Sequence, residues 1–264
     1  MSRPCHVLRV FTRGSSGGNH LGVVTDLTDL TPTDMQAIAT DLGFSETVFI
    51  DRADADIDAT VRIFTPMSEL PFAGHPLVGA AWMLSSLGAG EMGRINAEVG
   101  PVEYAVNGAS VTVRCDIPIS TVVRDSIPEA FMAAGMPKPI ATRVLGLPKE
   151  YVIAEYASFD AVSALDPDLD VLLEHFGVLC FARDGSKVKS RFFVPGEGIP
   201  EDPATGSAAV ALAREFTLRG ETDGSVTVTQ GDEMGHPSTI ELSWNAEGTT
   251  IGGTVVRDEV RLLP

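Results

Sequence analysis

The chain has 264 residues, 44% of them hydrophobic, and a mean hydropathy of +0.14, which suits two ordinary globular domains and excludes a disordered chain. A formal net charge of −17 excludes nucleic acid as the expected partner, because such a surface repels phosphates. Cys5, Cys115 and Cys180 are widely spaced without metal-like pairing, which fits a reduced, cytoplasmic setting.

The N-terminus lacks the apolar run of a secretion signal, and no stretch reaches the roughly 18 apolar residues of a membrane span. Residues 6–11 alternate like a half-buried strand. A glycine-rich loop follows at 14–19, then a strand at 21–24. The loop is not a phosphate-binding P-loop, since no Gly-Lys-Ser/Thr follows and no helix opens there. Thr31-Pro32-Thr33-Asp34 reads as a capped helix start, with Met35, Ile38, Ala39 and Leu42 on one face and Gly43 as the stop. Residues 44–50 then enter a strand, with Glu46 the odd carboxylate among apolar neighbours. One reading points it to solvent; the other makes it a desolvated base of raised proton affinity.

Residues 60–65 form a strand that leads into Glu69-Leu70-Pro71-Phe72-Ala73-Gly74-His75-Pro76. Pro76 is expected at the first helical position, and residues 77–87 continue as a helix stopping at Gly88. A helix apolar on nearly every side belongs in the interior. Its unpaired N–H groups, approached closely at Gly74, offer a seat for a carboxylate or phosphate. The alternative is a buried structural helix whose first turn is capped by neighbours.

A hairpin is expected over 99–106 and 110–117, turning at Asn107-Gly108. Residues 118–124 read as a crossover, and residues 126–129 open a short helix ending near Gly135. After a strand at 151–156, Asp166-Pro167-Asp168-Leu169 caps a helix running to Gly177, with Leu172, Leu173 and Phe176 inward. Strands at 178–182 and 188–194 lead to a second motif. Arg191-Phe192-Phe193-Val194-Pro195 and Gly206-Ser207 echo Arg62-Ile63-Phe64-Thr65-Pro66 and Gly74-His75 at nearly equal spacing, each followed by a helix of small residues. A repeat of half a chain implies two like domains rather than a solenoid. Strands at 226–229 and 240–243, then 251–256 and 260–263, complete a mixed, largely antiparallel α+β pattern.

Ser45-Glu46-Thr47-Val48-Phe49, Glu69-Leu70-Pro71-Phe72-Ala73-Gly74-His75-Pro76 and Glu201-Asp202-Pro203-Ala204-Thr205-Gly206-Ser207-Ala208 together resemble the signatures of the PhzF-like phenazine-biosynthesis isomerases, over essentially the whole chain. The resemblance implies a diaminopimelate-epimerase-like fold of two similar halves, each a curled, mostly antiparallel sheet around a central helix. Residues 1–117 would form the first half, joined by a returning strand at about 257–264, and residues 118–256 the second. A small anionic carboxylate metabolite would bind between them. It further implies a homodimer that uses no cofactor or metal.

Glu46 matches the family's general acid/base, and Gly74, His75, Asp202, Gly206 and Ser207 match its substrate-binding positions. Asp202 could pair with a substrate amine or cap the following helix, and Ser207 has the same ambiguity. His20 stands where the family commonly has proline, and Leu77 where it commonly has threonine. The expected function is isomerisation by proton transfer. An amino-acid epimerase on the same fold and a non-catalytic metabolite-binding protein are the alternatives. No cysteine lies at the Gly74 or Gly206 motifs, so epimerisation by paired cysteines is not expected.

Overall fold

The structure, a computed structural model, describes residues 2–52, 57–116, 129–173 and 177–263. The first half contains β1 (Arg3–Thr12), β2 (Asn19–Val24), α1 (Pro32–Leu42), β3 (Glu46–Arg52), β4 (Ala59–Phe64), β5 (Glu69–Leu70), α2 (Gly74–Ser86), β6 (Met92–Ala97), β7 (Gly100–Asn107) and β8 (Ser110–Cys115). The remainder contains α3 (Glu129–Ala133), β9 (Ala141–Leu147), β10 (Lys149–Glu155), α4 (Phe159–Ser163), α5 (Leu169–Leu172), β11 (Gly177–Asp184) and β12 (Lys187–Val194). A 3-10 turn (Pro195–Glu197), β13 (Ile199–Asp202), α6 (Gly206–Leu218), β14 (Gly224–Gln230), β15 (Ser238–Asn245) and β16 (Gly248–Leu263) follow.

Local chemistry explains several of these elements. Thr31 caps α1 through a capping box with Asp34, and Gly43 ends it in the left-handed region at φ 64°. Asn107-Gly108 turns β7 into β8 with Gly108 at φ 61°. α2 is buried along nearly its whole length, as its composition requires.

Strand pairing runs from β1 through β2, β3, β4, β6, β7 and β8 to β16, and β16 pairs back onto β1. The first lobe is therefore a closed ring of strands, with α2 packed against β1, β2, β3, β6, β7, β8 and β16. From β16 the sheet continues through β15, β14, β12, β11 and β10 to β9, wrapping α6, which packs on β9, β10, β15 and β16. One hydrophobic core runs through both lobes around the two helices. A second apolar cluster lies under α3–α5, and a third under α1. The fold is the expected α+β arrangement of two similar halves.

Several expectations change. Pro76 is the third residue of α2, because Gly74 already opens the helix; its missing N–H still falls among the unpaired first-turn groups. The helix expected from 166 to 177 is one turn, Leu169–Leu172, with Leu172 buried but Leu173 51% exposed. Gly177 begins β11 instead, where a β-carbon would lie 2.2 Å from Cζ of Phe192. The two last strands are one, β16, which bulges between the partners of Val7 and Leu8 as it runs along β1. β5, β6, β9 and α4 were not expected. The crossover at 118–124, the helix start at 126–128, the boundary at 117/118 and Phe176 lie outside the described residues.

Candidate active site

The N-termini of α2 and α6 meet head to head. A β-carbon on Gly74 would sit 2.6 Å from the Cα of Gly206, and one on Gly206 would sit 2.8 Å from the Cα of Gly74. Neither glycine has a positive φ, so close backbone approach, not conformation, requires it. Ala73 and Thr205 are the N-cap residues, and neither makes a side-chain cap hydrogen bond. Two sets of helix N–H groups therefore converge on one place without a side chain from the cap to satisfy them.

Glu46 opens β3 at this junction and is 9% exposed, which selects the buried of its two readings. Its Oε2 lies 3.2 Å from Nδ1 of His75, itself 2% exposed at the second position of α2. Asn19, at the start of β2, donates through Nδ2 to Oδ1 of Asp202 at 2.8 Å and to the Ala204 carbonyl at 3.1 Å. The same nitrogen lies 3.4 Å from Nδ1 of His75. One buried amide thus links the first lobe's histidine to the second lobe's acid.

Asp202 also accepts from Thr205 Oγ1 at 2.5 Å. Gln230 supports this turn by donating to the Asp202 carbonyl at 2.7 Å and to Thr205 Oγ1 at 3.0 Å. Asp202 is therefore fixed by side chains and does not cap α6. Ser207 accepts from the Tyr151 hydroxyl at 3.0 Å instead of capping its own helix.

Glu46, Asp202, Thr205, Ser207, Tyr151 and Glu197 line one narrow cavity of about 20 Å³, the room a single water needs, with Leu70, Phe192, Val194 and Ile199 on its apolar side. Burial governs the electrostatics here. It lifts Glu46 well above the ordinary carboxyl range, and the nearby Asp202 and Glu197 charges add to the effect. Asp202 is pushed up to about 6 by burial, against hydrogen bonds from Thr205, Ser45 and Asn19. Burial lowers His75 to about 3, and a hydrogen bond with the His20 backbone offsets only part of this. Tyr151 is raised by the same burial. Near neutral pH the centre therefore holds a neutral imidazole beside a carboxyl with a strong hold on its proton.

All six sequence-derived positions, Glu46, Gly74, His75, Asp202, Gly206 and Ser207, come together. Asn19, Thr205, Gln230, Tyr151 and Glu197 were missed. Thr205 lies inside the second motif, whereas nothing local to Tyr151 or Gln230 signals that their strands deliver them here. The two departures from the family pattern fall outside the cavity wall. Leu77 is fully buried in the core, and the His20 ring stacks on Phe44 at 5.7 Å, with Nε2 3.6 Å from Asp258. Among the described residues no group of three or more His, Cys, Asp or Glu is placed to hold a metal, and no helix is long and apolar enough to cross a membrane.

Two lobes of one continuous curled sheet, whose central helices meet nose to nose, define a diaminopimelate-epimerase-like fold. Residues 8–258 match the family described as phenazine biosynthesis-like protein. A trans-2,3-dihydro-3-hydroxyanthranilate isomerase of Pseudomonas fluorescens is 35% identical, over 90% of this chain and 94% of its own. An uncharacterised isomerase of Mesorhizobium japonicum is 32% identical over 94% of each. Among solved structures, a PhzF-family protein of Enterococcus faecalis superposes with a TM-score of 0.80 at 22% identity, covering all of both chains. A hydroxyproline epimerase of Agrobacterium vitis gives 0.70 at 12% identity, over 99% of this chain and 92% of its own. The chain belongs to the PhzC–PhzF, phenazine-biosynthesis-like family, and it is an isomerase.

Proposed function

We propose that this isomerase moves a proton between carbons of a small carboxylated metabolite, with Glu46 as general acid/base. The observation that carries the reading is the burial of Glu46 against His75, beside Asp202 and under two uncapped helix N-termini. A carboxyl that takes a proton from carbon and returns it to another needs a proton affinity near the working pH, which its burial supplies. The substrate carboxylate is held at the Gly74, His75, Gly206 and Ser207 end of the helices. As the C–H bond breaks, its electron pair delocalises toward that carboxylate, and N–H groups already in place stabilise the charge without reorganising. Glu46 then gives the proton to a different carbon, so the reaction needs no oxidant or reductant and, in this reading, no cofactor.

The relatives' names make trans-2,3-dihydro-3-hydroxyanthranilate the first compound to try, and we assign the substrate to the same class of small carboxylates. It is taken between residues 1–117, with the strand at 257–264, and residues 118–256. Epimerisation is the second reading, favoured by one observation: Asp202 is a second buried carboxyl with an affinity of about 6. Cys5, Cys115 and Cys180 are buried away from the cavity lining and supply no such base.

The enzyme is further read as a cytoplasmic homodimer. Three free, buried cysteines support the compartment. Residues 257–262 of β16 support the dimer: they are exposed, including Val260 and Leu262, and pair on one edge only among the described residues. A second copy added antiparallel about Val260 sets Glu259 opposite Arg261 on both sides.

Glu46→Gln tests the catalytic assignment. It should lower kcat by about 10³-fold while a bound carboxylate still raises Tm. Turnover by this variant at the wild-type rate removes Glu46 from the chemistry.

A further inference from the structure

The cavity holds a third carboxylate, that of Glu197, which the proton transfer described above does not use. It accepts from Ser68 Oγ at 2.7 Å and Thr65 Oγ1 at 3.2 Å, both in the first lobe, and from Lys149 Nζ at 2.6 Å in the second. Thr65 and Ser68 form a tight turn, with Thr65 N–H donating to the Ser68 carbonyl at 2.8 Å and Ser68 N–H donating to Thr65 Oγ1 at 2.9 Å. Against it lies Gly198, where a β-carbon would come 3.2 Å from Cγ of Met67.

The two turns are the same element in the two copies of the repeat. Each follows an Arg-x-x-x-Pro strand end, 62–66 in one and 191–195 in the other, and Ser68 and Glu197 both lie two residues beyond the proline. A hydroxyl at that position in one copy therefore donates to a carboxylate at the same position in the other. The contact spans the lobe junction and forms part of the wall around Glu46.

We propose that Glu197 is a positioning residue for the isomerase reaction, latching the two lobes over the cavity and setting the charge that Glu46 meets in the closed site. The inference rests on Glu46 being the acid/base. The Thr65–Ser68 turn and Glu197 meet across this cavity, so widening the gap between the lobes for a ring-sized metabolite separates them. The groups facing Glu46 are His75 from α2, Tyr151 from β10, Asp202 from β13 and Glu197 from the 3-10 turn. Those facing Glu197 are Lys149, Thr65 and Ser68. With Glu197 in place, its negative charge adds to burial in favouring the protonated Glu46. When the turns part, that charge moves away and water reaches the carboxyl. The latch thus couples closure to the proton affinity of the carboxyl that takes the proton from carbon.

The test uses the full-length protein and two variants. Glu197→Gln keeps the size and an acceptor oxygen but removes the charge, whereas Thr65→Val with Ser68→Ala removes the first lobe's donors and leaves the charge. The Glu46 carboxyl is titrated by NMR on glutamate-labelled protein, and amide hydrogen exchange is followed over 65–70 and 195–201. Glu197→Gln should lower the Glu46 midpoint by about half a unit or more. The double variant should raise exchange in both turns by about tenfold. A wild-type Glu46 midpoint that Glu197→Gln leaves in place, or turns whose exchange the double variant leaves unchanged, overturns the inference. A wild-type midpoint near that of a free glutamate overturns the acid/base reading itself, which keeps the two failures apart.

Discussion

Glu46 and His75 touch, and one cause moves them in opposite directions. Burial favours the neutral form of each, so the carboxyl holds its proton more tightly and the imidazole less tightly. Each shift makes stability depend on pH with its own sign. Burial pushes His75 down to about 3 in the fold, against the ordinary 6.5 of an imidazole, so the unfolded chain binds the extra proton between them. Its contribution is present above pH 6.5 and is lost as pH falls toward 3. Glu46, raised in the fold, works the other way: its contribution is present below 4.5 and is lost as pH rises through the folded value. Urea unfolding between pH 3 and 8 separates the two. His75→Gln should flatten the acid limb, and Glu46→Gln should flatten the decline at higher pH. An acid limb equally steep in His75→Gln and wild type would contradict the assignment of His75 as a buried neutral group.

At the level of elements, the contact between Gly74 and Gly206 fixes how closely α2 and α6 approach. The nearest atoms a new β-carbon would meet are backbone, which cannot rotate aside as the neighbouring Ile251 side chain can. Gly206→Ala should therefore cost about 1–3 kcal/mol by overpacking, read as a lower urea midpoint with an unchanged slope. A midpoint equal to wild type would show that the helices are not held as described. These helices were legible in the sequence because each combines an apolar surface with a small residue where the chain enters, and because the pattern occurs twice. Glu46 was legible only as an anomaly, since a strand's first residue can face either side and tertiary packing decides. Tyr151, Gln230 and Glu197 were not legible as site residues. Tyr151 meets Ser207, Gln230 meets Asp202 and Thr205, and Glu197 meets Thr65 and Ser68, all contacts between residues distant in sequence that no local pattern encodes. The helix expected at 166–177 failed for a related reason: Gly177 resembles a helix stop, yet its missing side chain makes room for the Phe192 ring across the sheet.

Over the whole molecule, β16 does two jobs that the sequence reading divided between two strands. Its first part joins the two lobes by pairing with both β8 and β15, and its last part closes the first lobe against β1. The remaining edge of that last part is where the proposed second copy adds. Leu262→Asp should convert a dimer to a monomer in light scattering at micromolar concentration, without loss of the folded state. A dimer that survives this change places the interface elsewhere.

The proton carried by Glu46 underlies the proposed function, and its path can be followed directly. A small carboxylate that the enzyme converts is turned over in deuterated water, and the product is examined by NMR. The expected result is deuterium at a carbon other than the one that lost its proton, with Glu46→Gln giving no incorporation. Deuterium only at the original carbon, with its configuration inverted, or equal incorporation by Glu46→Gln, would contradict proton transfer between carbons by this residue.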